Sequence, residues 1–295
     1  MPNVSANGIQ IEYDTFGDSL NSPLLLIMGL GSQMTRWDED FCGLLVKQGF
    51  YVIRFDNRDV GLSSKLEEAG VPKVLKAMAA AARGEKVEAP YKIKDMADDA
   101  IGLLDALGID KAHVCGASMG GMIAQTMAVK HPSRVISLIS IMSSTGNPEL
   151  PPGKPEAMKV LVTPAPTQRE PYIEYTAALR RTIGSPGFAF DEKRERERAA
   201  LDYDRCFHPQ GVARQLMAIV TRENLKPALA SVTVPTLVIH GAADPLVPME
   251  AGKDTAQAVP GSELMIIEGM GHDLPPEVWP RVVDAIAKHA KKAEG

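Results

Sequence analysis

One serine of this 295-residue chain lies in a setting that could make it a nucleophile. Ser118 stands in Gly116-Ala117-Ser118-Met119-Gly120-Gly121, between an apolar segment and a segment of small residues. A sharp strand-to-helix turn strains the serine backbone and projects its hydroxyl, and glycines two residues away on either side avoid collisions across the turn. The pattern Gly-x-Ser-x-Gly also arises by chance, so it indicates a nucleophile only where a strand precedes it and a helix follows it. The spacing predicts acyl transfer through Ser118.

The second group this chemistry needs is a base, because a serine hydroxyl is a poor nucleophile until its proton is taken. Six histidines are available. His272 alone lies in a loop directly after a late apolar segment, within Gly269-Met270-Gly271-His272, and these glycines permit close approach to the serine. We therefore predict His272 as the base. The others lie on predicted strands or helices, at their ends, or in a predicted insertion: His113, His131, His208, His240 and His289.

The third group is a carboxylate that orients the base. Asp244 follows an apolar segment in His240-Gly241-Ala242-Ala243-Asp244-Pro245, where it could accept a hydrogen bond from the imidazole Nδ1–H. An Asx turn before Pro245 is the structural alternative for this aspartate. Glu149 has a poorer context, and Asp273 is too close in sequence to His272. We predict Asp244 as the acid.

Two backbone N–H groups are expected to form an oxyanion hole. The N–H of Met119 follows the nucleophile, and the first strand–helix loop, Met28-Gly29-Leu30-Gly31, supplies the second donor. Leu30 is the predicted donor, and Gly31 replaces it if the loop is shifted. Five methionines near this region suggest an apolar, adaptable acyl site: Met28, Met34, Met119, Met122 and Met270. For Met34 and Met122, packing in the core is an equally good interpretation.

Hydrophobic periodicity predicts the elements that position these groups. Short apolar runs fit strands buried on both faces of a parallel sheet, and three- and four-residue spacing fits helices. The strands are predicted over 23–28, 51–55, 112–117, 135–141, 236–240 and 264–267, after a hairpin strand at 8–16. The helices are predicted over 37–47, 71–83, 93–107, 118–130 and 277–291. Alternation of helix and strand implies right-handed crossovers and a parallel sheet.

The alternation stops near Ser143 and resumes near residue 236. The intervening segment contains prolines and then helix formers, with no clear buried strand. We expect one core domain, 1–142 and 233–295, interrupted by a helical cap, 143–232. Within the cap, the charged run at 191–198 is predicted to be a solvated helix face. Between the second and third strands of the core, Asp56 and Arg58 are predicted to tie down a loop.

Composition excludes several classes of protein. Hydrophobic residues make up 45% and charged residues 23%, and the net charge of −5 is mixed along the chain, so neither a nucleic-acid groove nor a membrane-binding face is indicated. Three scattered cysteines without a CxxC pair suit a reducing compartment. The N-terminus lacks a secretory pattern, and no apolar run approaches the ~20 residues of a membrane span. We predict a soluble cytoplasmic protein.

Five segments match the pattern of a known family. They are Met28-Gly29, the Arg54-Phe55-Asp56…Arg58-Asp59…Gly61…Ser63 stretch, Ser118-Met119-Gly120, Val234-Pro235-Thr236-Leu237-Val238-Ile239, and Gly269-Met270-Gly271-His272. On these residues the chain resembles the α/β-hydrolase superfamily over nearly its whole length, and within it the capped esterases of the aclacinomycin methylesterase type. The resemblance implies an α/β-hydrolase fold, with a mostly parallel central sheet flanked by helices and a helical cap inserted late in the sheet.

The resemblance also implies site residues and an activity. Ser118, Asp244 and His272 correspond to the triad, and Leu30 and Met119 to the oxyanion donors. Two departures concern the pocket. Many hydrolases have His-Gly where this chain has Met28-Gly29, and residues 66–90 lengthen a region that is shorter in the aclacinomycin-type enzyme. Substrate identity is therefore not carried over.

The expected reaction is hydrolysis of a small-molecule carboxylic ester, with no metal or organic cofactor. A cofactor-free haloperoxidase or perhydrolase, or a lactonase, could use the same triad. A different class, a ligand-binding signalling protein with little turnover, is the remaining alternative. Neither nucleic acid nor membrane is an expected partner, and a homodimer is left open.

Overall fold

Eight strands form one sheet in the computed structural model, which describes residues 2–294. The strands are Asn3–Ala6 (β1), Ile9–Phe16 (β2), Ser22–Ile27 (β3), Phe50–Phe55 (β4), Ala112–Ala117 (β5), Val135–Ile141 (β6), Thr236–Gly241 (β7) and Glu263–Ile267 (β8). Their order across the sheet is β1-β2-β4-β3-β5-β6-β7-β8. The pairs β1–β2 and β2–β4 are antiparallel, and the other neighbours are parallel. The parallel strands therefore end at one common edge.

Helices pack on both faces of the sheet. Along the described chain the α-helices are Glu39–Lys47 (α1), Val74–Ala82 (α2), Ile93–Ala106 (α3), Met119–Lys130 (α4), Pro155–Val162 (α5), Arg169–Ile183 (α6), Glu192–Arg205 (α7), Pro209–Val220 (α8), Lys226–Leu229 (α9), Met249–Ala258 (α10) and Trp279–Glu294 (α11). Alternate side chains of a strand point to opposite faces. In β3, Leu25 and Ile27 accordingly pack with α3 and α4, whereas Leu24 and Leu26 pack with α1 and α11.

The predicted fold class is confirmed. Helix α10 was not predicted, and several predicted helices differ from the observed ones at their ends. The helix predicted from residue 37 begins at Glu39, because the Asp38 carboxylate accepts the Asp40 N–H and caps the helix. The helix predicted over 71–83 is shorter, Val74–Ala82, and starts after Pro72. The final helix begins at Trp279, preceded by a 3₁₀ turn at Pro276–Val278.

Five helices, α5 to α9, stand between β6 and β7. This is where the sequence predicts the cap; the limits 143–232 for the cap, and 1–142 and 233–295 for the core, stay a prediction, and residues 1 and 295 lie outside the described part. The solvated face predicted for the charged run is wrong for several of its members. The side chains of Glu195 and Arg198 are only 17% and 19% exposed, and Arg194 pairs with Asp38 of the core at 2.7 Å.

Ion pairs connect these helices to the core. Arg205 at the end of α7 lies 2.8 Å from Asp56, and Arg214 of α8 donates to both carboxylate oxygens of Asp59 at 2.8 and 2.7 Å. Asp56 also accepts the Leu62 N–H at 2.8 Å, so its predicted structural role is confirmed. Separating such a buried pair would leave a charge without its partner, which costs free energy. These contacts therefore constrain the position of α7 and α8 relative to the core.

The predicted structural role of Arg58 is confirmed as well. Its guanidinium donates to the Asp99 carboxylate at 2.6 Å, joining the loop after β4 to α3. The three cysteines form no disulfide, with Cys42 and Cys115 buried and Cys206 half-buried. Within residues 2–294, every helix falls short of the length and apolarity that crossing a membrane requires.

Candidate active site

Ser118 occupies the turn between β5 and α4. Its backbone angles are φ 56° and ψ −119°, a region that residues other than glycine rarely adopt. The neighbouring glycines are required by close packing: a Cβ on Gly116 would lie 2.0 Å from the carbonyl oxygen of Gly120, and one on Gly120 would lie 2.0 Å from that of Ile27. The strained turn predicted from the sequence is therefore present, and it places the Ser118 hydroxyl at the carboxyl edge of the sheet.

The imidazole of His272 lies between Ser118 and Asp244. Its Nε2 is 2.9 Å from the Ser118 Oγ, and its Nδ1 is 2.7 Å from the Asp244 Oδ2. A carboxylate oxygen accepts, so Nδ1 carries the proton and Nε2 is left to accept from the serine hydroxyl. Three loops that follow β5, β7 and β8 thus bring together side chains that lie far apart in sequence. Among the histidines of residues 2–294, His272 is the one that contacts Ser118.

Asp244 makes two kinds of contact at once. While Oδ2 faces the imidazole, Oδ1 accepts the backbone N–H groups of Leu246 at 2.9 Å and Val247 at 2.8 Å. The Asx turn weighed as an alternative is therefore present and holds the carboxylate toward His272. The two rival acids lie elsewhere, since the Glu149 side chain is exposed and Asp273 accepts from the Ser185 hydroxyl.

His240 supports the loop that carries Asp244. It is fully buried, its Nε2 donates to the Val247 carbonyl at 2.8 Å, and the same nitrogen lies 3.7 Å from the Asp244 Oδ2. Close approach of α10 confines the ring, because a Cβ on Gly252 would lie 2.5 Å from Nδ1. Sequence reasoning placed His240 at a strand end without assigning it this role. Its position four residues before Asp244 was the available signal.

The buried His240 predicts a loss of stability in acid. Burial lowers its pKa below the usual value, so the unfolded chain binds a proton near pH 6.5 while the folded chain does not, and stability falls as the pH drops through that value. For His240→Asn we expect the difference in unfolding free energy between pH 7.5 and 5.5 to shrink by about 1 kcal/mol. Urea unfolding at the two pH values measures it. An unchanged pH difference would contradict the assignment.

In the described chain, the loop after β3 leaves one N–H group without a protein acceptor and anchors another. The Gly31 N–H donates to the Gln215 Oε1 at 2.8 Å, and the amide nitrogen of this buried glutamine donates to the Arg58 carbonyl at 2.8 Å. The Gly31 N–H is thus already hydrogen-bonded within the protein. Within residues 2–294, no protein acceptor receives the N–H groups of Leu30 and Met119, which favours Leu30 over Gly31 as the second donor. Gln215 was missed because nothing in its helical pattern points to a distant loop.

A cavity of about 1420 Å³ extends from Ser118 and His272 toward the helices between β6 and β7. It is larger than the ~300–1,000 Å³ of ordinary small-molecule sites. Of the five methionines expected to surround the acyl site, Met28 and Met122 line it. The expectation is wrong for Met119 and Met270, whose side chains are fully buried in the two cores. Met34, for which core packing was equally expected, is also fully buried.

Comparisons with known proteins agree with this architecture. Residues 22–277 match the family described as alpha/beta hydrolase fold. The chain is 28% identical to rhodomycin D methylesterase DauP of Streptomyces sp. strain C5, over 98% of both chains. It is 26% identical to 3-oxoadipate enol-lactonase 2 of Acinetobacter baylyi, over 97% of this chain and 96% of the relative.

A solved structure with the same fold supports this comparison. A thermophilic esterase from Thermogutta terrifontis, solved with malate bound, superposes with a TM-score of 0.72 at 25% identity, with 100% of both chains covered. The sheet order, the strained turn at Ser118 and the loop contacts of His272 are all features of that fold. This chain belongs to the α/β-hydrolase family.

Proposed function

We propose that this α/β-hydrolase cleaves carboxylic esters through an acyl-enzyme on Ser118, with His272 as base and Asp244 as the acid that orients it. The observation that carries the proposal is the continuous contact from the Ser118 hydroxyl through the imidazole to the carboxylate, at 2.9 and 2.7 Å. Chain order supports it, because nucleophile, acid and histidine follow one another as in other members of this fold.

The first half of the reaction is attack on the ester carbonyl. The Ser118 oxygen bonds to the carbonyl carbon while His272 Nε2 takes the hydroxyl proton, and Asp244 stabilises the imidazolium that forms. The Leu30 and Met119 N–H groups, which have no protein acceptor, would receive the oxyanion, each contributing about 3–4 kcal/mol to lowering the barrier. Collapse of the tetrahedral intermediate expels the alcohol, which takes the proton from His272.

The second half is hydrolysis of the acyl-enzyme. A water molecule gives its proton to His272 Nε2 and attacks the acyl carbon, and the acid leaves as Ser118 regains its proton. Each step uses groups of this chain, the substrate and one water.

The size of the cavity and the relatives bear on the substrate. Methylesterase relatives that align over 98% of the chain support a methyl ester, and a cavity of about 1420 Å³ accommodates an ester of a bulky acid. A lactone is a cyclic ester, and the enol-lactonase relative supports it as a second candidate. Cytoplasmic location and a homodimer stay predictions, the first supported by cysteines that form no disulfide.

A substrate panel tests the proposed activity. Methyl and 4-nitrophenyl esters, aliphatic lactones, and bromide oxidation by peroxide in acetate buffer are compared by kcat/KM at one pH. We expect an ester to exceed the halide reaction by at least about 10²-fold, because an ester acylates Ser118 more readily than acetate does, and because halide oxidation also requires peroxide in place of water at the acyl-enzyme. Faster bromide oxidation would favour the perhydrolase alternative. Tight binding of an ester with no turnover would favour the signalling protein.

A further inference from the structure

Three arginines of the cavity wall, Arg36, Arg194 and Arg198, lie within 4 Å of a carboxylate oxygen. Arg36 lies 2.6 Å from Asp202, and Arg194 lies 2.7 Å from Asp38. Arg180 also lines the cavity, yet within residues 2–294 no carboxylate oxygen lies within 4 Å of it. Its buried Nε–H has no acceptor there either. A guanidinium nitrogen buried without an acceptor costs free energy. Arg222 of the cavity wall has such a nitrogen too, and Arg180 is distinguished from it by its contact with Ser32.

Arg180 lies beside the proposed catalytic groups. It is in the last turn of α6, and its Nη2 is 3.4 Å from the Ser32 hydroxyl. Ser32 closes the turn that contains Leu30, since its N–H donates to the Gly29 carbonyl at 3.2 Å. At the end of the same helix, the Ile183 carbonyl accepts the His272 N–H at 2.8 Å. The guanidinium therefore borders the space next to the predicted oxyanion hole.

The charged groups around Arg180 are engaged elsewhere. Glu195 and Asp202 both accept from Arg36, at 2.9 and 2.6 Å. Asp273 accepts from the Ser185 hydroxyl, and burial raises the pKa of its carboxyl group. Burial lowers the pKa of the Arg180 guanidinium, and the nearby cation Arg36 acts in the same direction. The carboxylates of Glu195, Asp202 and Asp273 oppose this lowering of the pKa, but each of them already binds another group.

We infer that Arg180 binds a carboxylate of the substrate, so that the preferred esters carry a second, anionic group a short distance from the scissile carbonyl. The planar guanidinium fork matches a carboxylate in a bidentate manner, and an anion there would satisfy the buried Nε–H. This inference rests on the proposed esterase activity. The half-esters of dicarboxylic acids are the simplest substrates of the class.

A matched pair of substrates tests the inference. Monomethyl glutarate and dimethyl glutarate differ in one methyl group and one charge, and release of methanol gives kcat/KM for both. We expect Arg180→Met to lower the ratio of the half-ester value to the diester value on the order of 30-fold, as removal of a buried charged partner does. Arg180→Lys, which keeps the charge, should restore part of the ratio.

Two other cations of the cavity wall serve as controls. Lys76 is exposed, so Lys76→Met removes the same charge and should keep the wild-type ratio. Arg222, whose Nη1 donates to the Ile219 carbonyl at 3.2 Å, also lacks a carboxylate in the described chain. A larger fall of the ratio in Arg222→Met than in Arg180→Met would overturn the assignment. So would equal losses on both substrates in Arg180→Met.

A binding measurement separates this inference from the proposed activity. Calorimetric titration of monomethyl glutarate into Ser118→Ala and into Ser118→Ala/Arg180→Met needs no turnover. We expect on the order of 10-fold weaker binding to the double variant. Equal binding would overturn the role of Arg180 whether or not esters are cleaved, whereas a wild-type protein that binds the half-ester through Arg180 without cleaving any ester would overturn only the proposed activity.

Discussion

Ser118→Ala is expected to lower kcat for the best ester of the panel by at least about 10⁴-fold, because the acyl-enzyme cannot form without the hydroxyl. The substitution removes one oxygen from a turn already held by close contacts of Gly116 and Gly120, so the fold should persist. Hydrolysis rates and circular dichroism of the purified variant measure the two effects. A fluorophosphonate should label the wild-type protein and not the variant.

A second serine of the cavity provides the control. Ser144 lines the cavity, and its hydroxyl accepts the Gly146 N–H at 3.2 Å without contacting His272. Ser144→Ala should keep its reaction with the fluorophosphonate. If Ser118→Ala hydrolysed esters at the wild-type rate, or if the label were found on Ser144, Ser118 would not be the nucleophile.

The residues that converge at the sheet edge could be predicted because their signals are local. Ser118 is flanked by glycines that a strand-to-helix turn demands, and His272 and Asp244 each follow a short apolar strand. Once the strands are parallel, their ends lie at one edge, so loops distant in sequence must meet there. The same argument predicted that the loop after the first parallel strand would supply an N–H group to the oxyanion hole.

The contacts made by the helices between β6 and β7 could not be predicted, because they join positions that are very distant in the sequence, such as Gly31 and Gln215, which are 184 residues apart. Gln215 accepts the Gly31 N–H of the loop after β3, which leaves the Leu30 N–H of that loop as the candidate oxyanion donor. Arg205 and Arg214 pair with the loop after β4. In the sequence these residues are an amide and two charges on amphipathic helices, a pattern that equally suits solvent exposure.

These long-range contacts connect the wall of the cavity to the proposed catalytic groups. Gln215 holds the loop of Leu30 through Gly31, while the end of α6 meets His272 through the Ile183 carbonyl. The helices that enclose the cavity therefore also fix the position of the predicted oxyanion donor Leu30 and of the proposed base His272. Exchanging these helices between relatives would alter the geometry of the reaction as well as the shape of the pocket.

Asp244→Asn is expected to lower kcat by about 10³–10⁴-fold while leaving Ser118 and His272 in place. An asparagine amide at this position would donate toward Nδ1, so the imidazole would carry its proton on Nε2 and could not accept the serine proton. Two backbone bonds from Leu246 and Val247 to Oδ1 should hold the substituted side chain in the same rotamer. Steady-state hydrolysis of the best ester measures the loss.

The neighbouring carboxylate makes the test specific to the proposed acid. Asp273 is adjacent to His272 in sequence, but its side chain accepts from the Ser185 hydroxyl, whereas the imidazole contacts Asp244 at 2.7 Å. Asp273→Asn should therefore change kcat by less than about 10-fold, since it leaves the tautomer of His272 unaltered. If Asp273→Asn lowered kcat more than Asp244→Asn did, the proposed role of Asp244 would be wrong. Asp273 would then be the carboxylate that accepts the Nδ1–H of His272 during the reaction.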